Sequence, residues 1–209
     1  MKLAVVNVAT GGYEAIAKPL VDSVVLHCPS ATIFSFSHLS DIGSPSHQDD
    51  PYAFKLYAIE YVRDLGFDVV IWLDSPIRLT RPIDEWISKI ECVGVYLQQD
   101  GWANGQWAND KALDWFKVSR EEAMSISSVY ACVMAFDFRV PITHRFFDLW
   151  WKSYEAGCFR GTWKNIDGCE SSDPRCLGHR HDQTCAELTA YTLGIPLCPL
   201  VIGDFCRQW

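Results

Sequence analysis

An aspartate that ends an unbroken apolar run is the first residue in this chain placed to do chemistry. Residues 67–73 read Phe-Asp-Val-Val-Ile-Trp-Leu, and Asp74-Ser75-Pro76 stops them. Apolar residues without alternation predict a strand buried on both faces. Such a strand delivers its last residue to the crevice at the carboxyl edge of an open α/β sheet, where ligands bind. Asp74 is therefore the leading candidate; a helix cap or an Asx turn before proline is the alternative. A second set, Ala9-Thr10-Gly11-Gly12-Tyr13, follows the first predicted strand. Its Gly-Gly pair permits a sharp turn close to a ligand, on which Tyr13 can stack. It is not the dinucleotide fingerprint, because G-x-G-x-x-G is absent. Lys55 falls in the first turns of a predicted helix, where a cation opposes the helix dipole and invites an anion; a solvated lysine is the alternative. Residues 98–110, Gln-Gln-Asp-Gly-Trp-Ala-Asn-Gly-Gln-Trp-Ala-Asn-Asp, are dense in amides and indoles. That composition suits a surface for hydroxyl-rich ligands, or a packed lid. Cys169, Cys176, His179 and His181 make a nominal zinc set, but the cysteine spacing is loose and the histidines are only two apart.

The elements that must position these residues follow from periodicity. Strands are predicted over 3–8, 31–36, 69–73, 92–97, 127–137 and 195–202. Helices are predicted over 14–26, 51–65, 82–90, 110–117 and 142–154, with a capping box at Ser119-Arg120-Glu121-Glu122. A last helix opens near His181-Asp182-Gln183 and stops at Gly194. Residues 38–50 read as a mobile surface loop. Residues 157–178, rich in Gly, Cys, Asp and Ser, read as a long loop crossing the active face.

Composition bounds the class. The chain has 209 residues, 49% hydrophobic and 21% charged, enough for one well-buried core. No apolar run is long enough to span a bilayer and no signal-peptide pattern opens the sequence, so a cytoplasmic protein is expected. Nine cysteines in no evident framework fit reduced thiols. A net charge of −8 removes any general electrostatic grip on a phosphate backbone, while a local basic groove stays open. Nine tryptophans, several in polar surroundings, offer platforms for sugars or bases.

In order and spacing these pieces resemble the GT-A fold of nucleotide-sugar glycosyltransferases. The resemblance rests on the small-residue loop after the first strand, Phe54-Lys55-Leu56, Val70-Ile71-Trp72-Leu73-Asp74, Tyr130 to Asp137, and His181-Asp182-Gln183. It is closest to small bacterial, phage or algal-virus members with Trp-Leu-Asp and a late His-Arg-His-Asp-Gln motif. It implies an α/β fold, a single GT-A-like (Rossmann-like) domain over 1–209 with a mixed, mainly parallel sheet flanked by helices. It implies that Thr10 and Tyr13 lie beside base and ribose, that Lys55 reaches ribose or diphosphate, and that Asp74 is the first acid of an Asp-x-Asp motif. That motif is broken, since Pro76 stands at its third position. A hard cation wants several oxygen ligands. Either Mn²⁺ or Mg²⁺ is held by Asp74, water, diphosphate and one of His179 or His181, or Arg78, Lys55 or Arg180 neutralises the leaving group without metal.

Sugar transfer from a nucleotide diphosphate develops an oxocarbenium-like centre and a departing anion, so it needs positive charge there and a base near the acceptor hydroxyl. Asp182 is the candidate base or sugar-orienting carboxylate, with a helix cap as the alternative. His179, His181 and Gln183 are candidates for donor or acceptor hydroxyls, and Trp102, Asn104, Trp107 and Asn109 for acceptor specificity. The activity implied is transfer from a nucleotide sugar, UDP-linked by preference, to a glycan, protein or modified-base acceptor. Two rivals remain. A sugar nucleotidyltransferase would be expected to carry a basic residue in the first loop, which is absent; a non-catalytic binding module of the same fold would accommodate Pro76.

Overall fold

The computed structural model describes residues 1–199 and the backbone of 206–208. Its strands are β1 (Leu3–Val8), β2 (Thr32–Phe36), β3 (Val69–Leu73), β4 (Ile77–Leu79), β5 (Val95–Ala103), β6 (Ser127–Asp137) and β7 (Cys206–Gln208). Its helices are α1 (Glu14–His27), α2 (Phe54–Asp64), α3 (Asp84–Val93), α4 (Asp110–Phe116), α5 (Arg120–Ala123), α6 (Pro141–Glu155) and α7 (His181–Leu193). Five strands form one sheet in the order β2-β1-β3-β6-β5. β1 pairs in parallel with β2 and β3, and β6 runs antiparallel to both β3 and β5. Four strands thus share one direction and β6 opposes them, the mixed, mainly parallel sheet expected.

The unbroken apolar run of β3 has a direct cause. Side chains alternate between faces along a strand, and each face of this sheet meets its own core. Val70 and Trp72 join Ala4, Val6, Leu56, Phe136 and Trp150 on one side. Val69, Ile71 and Leu73 join Leu3, Val5, Leu20 and Trp86 on the other. Both faces are covered, so every β3 position is apolar; burying each such side chain contributes about 1.5–3 kcal/mol.

Several boundaries differ from expectation. The strand expected over 92–97 begins at Val95, because α3 continues to Val93 and stops at Gly94, whose φ is 77°. It then runs through 98–103, a stretch read above as loop. There β5 pairs Gln99 with Val129 and Ala103 with Ser127, with register shifts on the way. One face of this extension is solvated and it is bulged, so its residues are polar. β4 was not anticipated; its three residues pair antiparallel with β7. In the last segment, Cys198 makes a single bridge to Gln98 in place of a strand, and residues 200–202 of that expectation lie outside the described residues. Residues 38–50 contain a helical turn, Leu39–Ile42.

Candidate functional site

Three side chains from distant parts of the chain meet at the carboxyl edge of β3. Asp74 follows the strand, with its amide held by the Cys132 carbonyl at 2.9 Å. Its Oδ1 accepts from the Trp72 indole at 2.6 Å. Lys55, fully buried on α2, places Nζ 3.5 Å from Asp74 Oδ1 and 3.0 Å from Asp182 Oδ2, and donates to the Ala131 carbonyl at 2.9 Å. Asp182 lies in the first turn of α7 with its side chain 4% exposed, against 25% for Asp74. Burial alone would lower the Lys55 pKa, but Asp182 and Asp74 outweigh it and hold the ammonium above its ordinary value. Burial raises Asp182, and Lys55 offsets only part of this. The anion that Lys55 invites is thus internal, and its contacts are taken by two acids and a carbonyl.

Of the three, Asp74 reaches a cleft of about 410 Å³ lined also by Thr10, Gly11, Tyr13, His47, Tyr52, Phe54, Trp72, Pro76 and Cys132. Gly11 and Gly12 turn the chain at φ 65° and 97°, left-handed backbone that a side chain would strain. Tyr13 is exposed at the mouth. Tyr52 and His181 also hold positive φ, 60° and 49°. A non-glycine residue there costs about 1–3 kcal/mol, and such strain gathers at functional sites. The two rings stack on each other at 5.4 Å. Burial, then Asp182, pushes the Tyr52 phenol up to about 12.

Arg78 is not among the cleft residues. Its guanidinium donates to the carbonyls of Ser75, Ile77 and Ile16 at 2.8, 2.6 and 2.8 Å, tying the β3–β4 turn to α1. The cation proposed for the diphosphate from sequence is here a brace for the backbone.

The two histidines differ. His179 is wholly buried; Nε2–H donates to the Cys158 carbonyl at 2.8 Å and Nδ1 accepts from the Asn109 amide at 3.3 Å. Burial and then His181 push it down to about 3. Both ring nitrogens are used inside the protein. His181 donates from Nδ1 to the Phe159 carbonyl at 2.8 Å, and its buried Nε2 has no hydrogen-bond partner. Burial lowers its pKa, so the ring is neutral with a lone pair on Nε2. A neutral imidazole fixed through its other nitrogen is the usual form of a metal-binding histidine. Among the described residues no group of three His, Cys, Asp or Glu side chains could hold a metal. The Cys169, Cys176, His179, His181 set therefore does not assemble.

The two asparagines of the 98–110 stretch turn inward. Asn109 caps α4 by accepting from the Ala112 amide at 2.8 Å and donates to the Arg160 carbonyl and Glu170. Asn104, wholly buried, donates to Thr184 and to the buried Glu187. Glu187 also accepts from Ser128 Oγ at 2.7 Å and the Val129 amide at 2.9 Å. Burial, against these donors, pushes it up to about 7. Gln183 is half-buried and donates to Ser128 Oγ at 2.9 Å and Asp100 Oδ2 at 3.2 Å.

Indoles and one guanidinium form the outer wall. Arg180 lies 3.9 Å from the Trp107 ring centroid and 4.3 Å from that of Trp163. Trp102 meets Trp107 edge-on, and Trp163 meets both His181 and Tyr52. Trp102 and Trp163 are 54% and 44% exposed. The 157–178 stretch carries Trp163 to this wall, held by Leu177 N–H to the Gln106 carbonyl and His179 N–H to the Thr162 carbonyl. At Gly178 a Cβ would sit 2.1 Å from the Trp163 carbonyl oxygen, so glycine permits this approach. Sequence reasoning missed Tyr52, Asp100 and Trp163; an aromatic after Pro51 and an acid before Gly101 were the only signals available.

No family model matches the chain, and no curated protein matches it. Solved structures do. The apo structure of the bifunctional glycosyltransferase WbbM superposes with a TM-score of 0.56 at 11% identity, over 95% of this chain and 38% of that one. The glycosyltransferase GlyE of Streptococcus pneumoniae TIGR4 gives 0.50 at 15% identity, over 96% and 45%. Mouse xyloside xylosyltransferase 1 in its apo form gives 0.53 at 9% identity, over 96% and 85%. The chain spans less than half the length of the first two. At these identities the likeness is one of fold: the chain has a glycosyltransferase fold.

Proposed function

We propose that the chain is a GT-A-type glycosyltransferase that takes a nucleotide-diphosphate sugar, UDP-linked by preference, and passes the sugar to an acceptor hydroxyl. The observation that carries this reading is the buried Lys55 joined to Asp74 and Asp182 beneath a cleft at the carboxyl edge of β3. In sheets of this kind ligands bind at that edge. Thr10, Tyr13 and Tyr52 would flank base and ribose, and Asp74 would meet ribose or diphosphate. Asp182, buried and tied to Lys55, suits fixing Lys55 and through it Asp74 better than taking a proton. A base must reach its proton within about 3 Å or through one water, and this carboxylate is covered. A divalent ion, Mn²⁺ or Mg²⁺, would be held by Asp74 and His181 Nε2, with diphosphate and water completing its shell; it would supply charge to the departing phosphate. The orphaned Nε2 has the lone pair such a ligand needs, and His181 would have to reach it from outside the lining of the cleft.

Two observations favour a second reading, a non-catalytic binding module: Pro76 removes the motif's second acid, and no three-ligand group assembles among the described residues. Thermal shift and calorimetry with UDP, GDP, CDP and dTDP sugars, each with Mn²⁺, Mg²⁺ or EDTA, separate the readings. A hundredfold excess over Kd should stabilise the protein by about 2.7 kcal/mol. The transferase reading expects a shift for one nucleotide, lost in Asp74→Asn, and consumption of that donor. A shift without consumption supports the binding module, and no shift with any donor sinks both. Trp102→Ala and Trp107→Ala should weaken acceptor affinity; unchanged affinity would remove them from the acceptor site.

A further inference from the structure

Arg180 stands where burial and the helix dipole oppose a cation, while Asp100, Tyr52 and Glu187 favour it from a distance. It caps the N-terminus of α7, the positive end of the helix dipole. It is half-buried, and among the described residues its guanidinium meets no carboxylate and no hydrogen-bond acceptor. Asp100 and Glu187 act on it across a distance, and neither forms an ion pair with it. What holds it is the pair of indoles, Trp107 and Trp163. Guanidinium N–H groups lie in the plane of the group, so rings over its faces leave the planar edge for a partner. That edge matches a carboxylate or phosphate two bonds at a time.

Arg180 does not line the cleft that contains Asp74. It sits one helical turn from Gln183, which donates to Asp100, and on the wall that leads to the exposed Trp102. A cation held against the exposed Trp163, with the exposed Trp102 packed on its other indole Trp107, is a surface for a sugar ring that carries an anionic group.

We infer that Arg180, Trp163 and Trp102 form an acceptor subsite for an anionic saccharide, a sugar bearing a carboxylate or a phosphate. The inference rests on the transferase reading for the word acceptor, and on the wall alone for the ligand class. Because the protein is negative overall, the attraction is short-range and falls on this one guanidinium.

The test measures binding, so it does not depend on turnover. Affinities of 4-nitrophenyl glucoside, 4-nitrophenyl glucuronide and glucose 6-phosphate are read by calorimetry and saturation-transfer NMR, with UDP present. A charge-assisted bond predicts that the wild type prefers the anionic probes by about tenfold or more. Arg180→Met should bring that ratio to about one, and Arg180→Lys should leave an intermediate ratio because the ammonium has no planar fork. Trp163→Leu, which keeps the cation but removes one plate, should lower the preference in part. Should Arg180→Met not fold, the wild-type ratio and the other two variants decide. Equal wild-type affinity for neutral and anionic probes would overturn the proposal. So would a loss of UDP affinity in Arg180→Met with the saccharide ratio intact, because that places the anion on the donor. Failure to consume any nucleotide sugar, with the saccharide preference present, would instead sink the transferase reading and leave the subsite standing.

Discussion

Replacing Lys55 with methionine isolates the interaction on which the site is built. The substitution keeps the apolar stem and removes the ammonium that stands 3.0 Å from Asp182 and 3.5 Å from Asp74. Asp182 is fully buried, so the variant confines a carboxylate with no counter-charge, and the Ala131 carbonyl loses its donor. Removing one partner of a buried pair costs about 3–5 kcal/mol. The cost has a pH dependence whose sign follows from Asp182. Its folded pKa already lies above the ordinary value and rises further without the lysine. Below the unfolded carboxylate pKa both states are protonated and the variant loses least. As pH rises past that value the unfolded chain ionises and the folded one does not, and stability falls by about 1.36 kcal/mol per pH unit. Urea unfolding of wild type and variant at pH 4.5 and 7.5 should therefore show a gap that widens with pH. Adding Asp182→Asn to Lys55→Met should close much of it. A gap under about 1 kcal/mol at both pH values would refute the buried-pair account, as would a double variant no more stable than the single one.

Three further outcomes follow from the same geometry. Glu187 lies at about 7 against an ordinary 4.5, so its stabilising effect is full below pH 4.5 and lost as pH rises through 7, a fall of about 3 kcal/mol. Glu187→Gln should flatten that slope in denaturant titrations, since the unpartnered Asn104 Oδ1 can turn to accept from the new amide; an unchanged slope would remove Glu187 as its source. Arg78→Met should cost about 2 kcal/mol by freeing three carbonyls, lowering Tm by about 4–8 °C; a smaller fall with reduced UDP affinity would return Arg78 to the diphosphate. Gly178→Ala should cost about 1–3 kcal/mol through the Trp163 carbonyl, and calorimetry should show the glucuronide preference weakened with it.

The sequence made some of this legible and concealed the rest for physical reasons. β3 and Asp74 could be read because burial on two faces leaves no polar position between Val69 and Leu73. The end of α7 could be read because Gly194 takes the left-handed φ of 66° that stops a helix. The pairing of Lys55 with Asp182 could not be read, since periodicity places a residue on a face and says nothing of which distant element covers it. Asn104 and Asn109 looked like ligand groups because an amide serves a hydroxyl-rich ligand and a buried carbonyl equally well. Both serve the protein interior, capping α4 and satisfying Glu187 and Thr184. The stretch 98–103 looked like a loop because a bulged, half-solvated strand has the composition of one.

The three cations weighed from sequence for the leaving group divide by what surrounds them. Lys55 is buried, and two acids and a carbonyl take its contacts, so what it gives a ligand is the alignment of Asp74 and Asp182. Arg78 is consumed by carbonyls from two elements, so what it gives is the shape of the turn after Asp74. To meet a phosphate, either would give up these contacts. Arg180 breaks no hydrogen bond by binding an anion, because aromatic faces hold it and its hydrogen-bonding edge has no partner among the described residues. On the transferase reading, positive charge at a departing diphosphate would then come from a divalent ion on Asp74 and His181, or from Arg180 itself. The donor panel in EDTA, run on wild type and Arg180→Met, separates them. Donor affinity lost in EDTA and kept in Arg180→Met assigns the diphosphate to the ion and leaves the guanidinium for the acceptor; the reverse pattern exchanges the two roles.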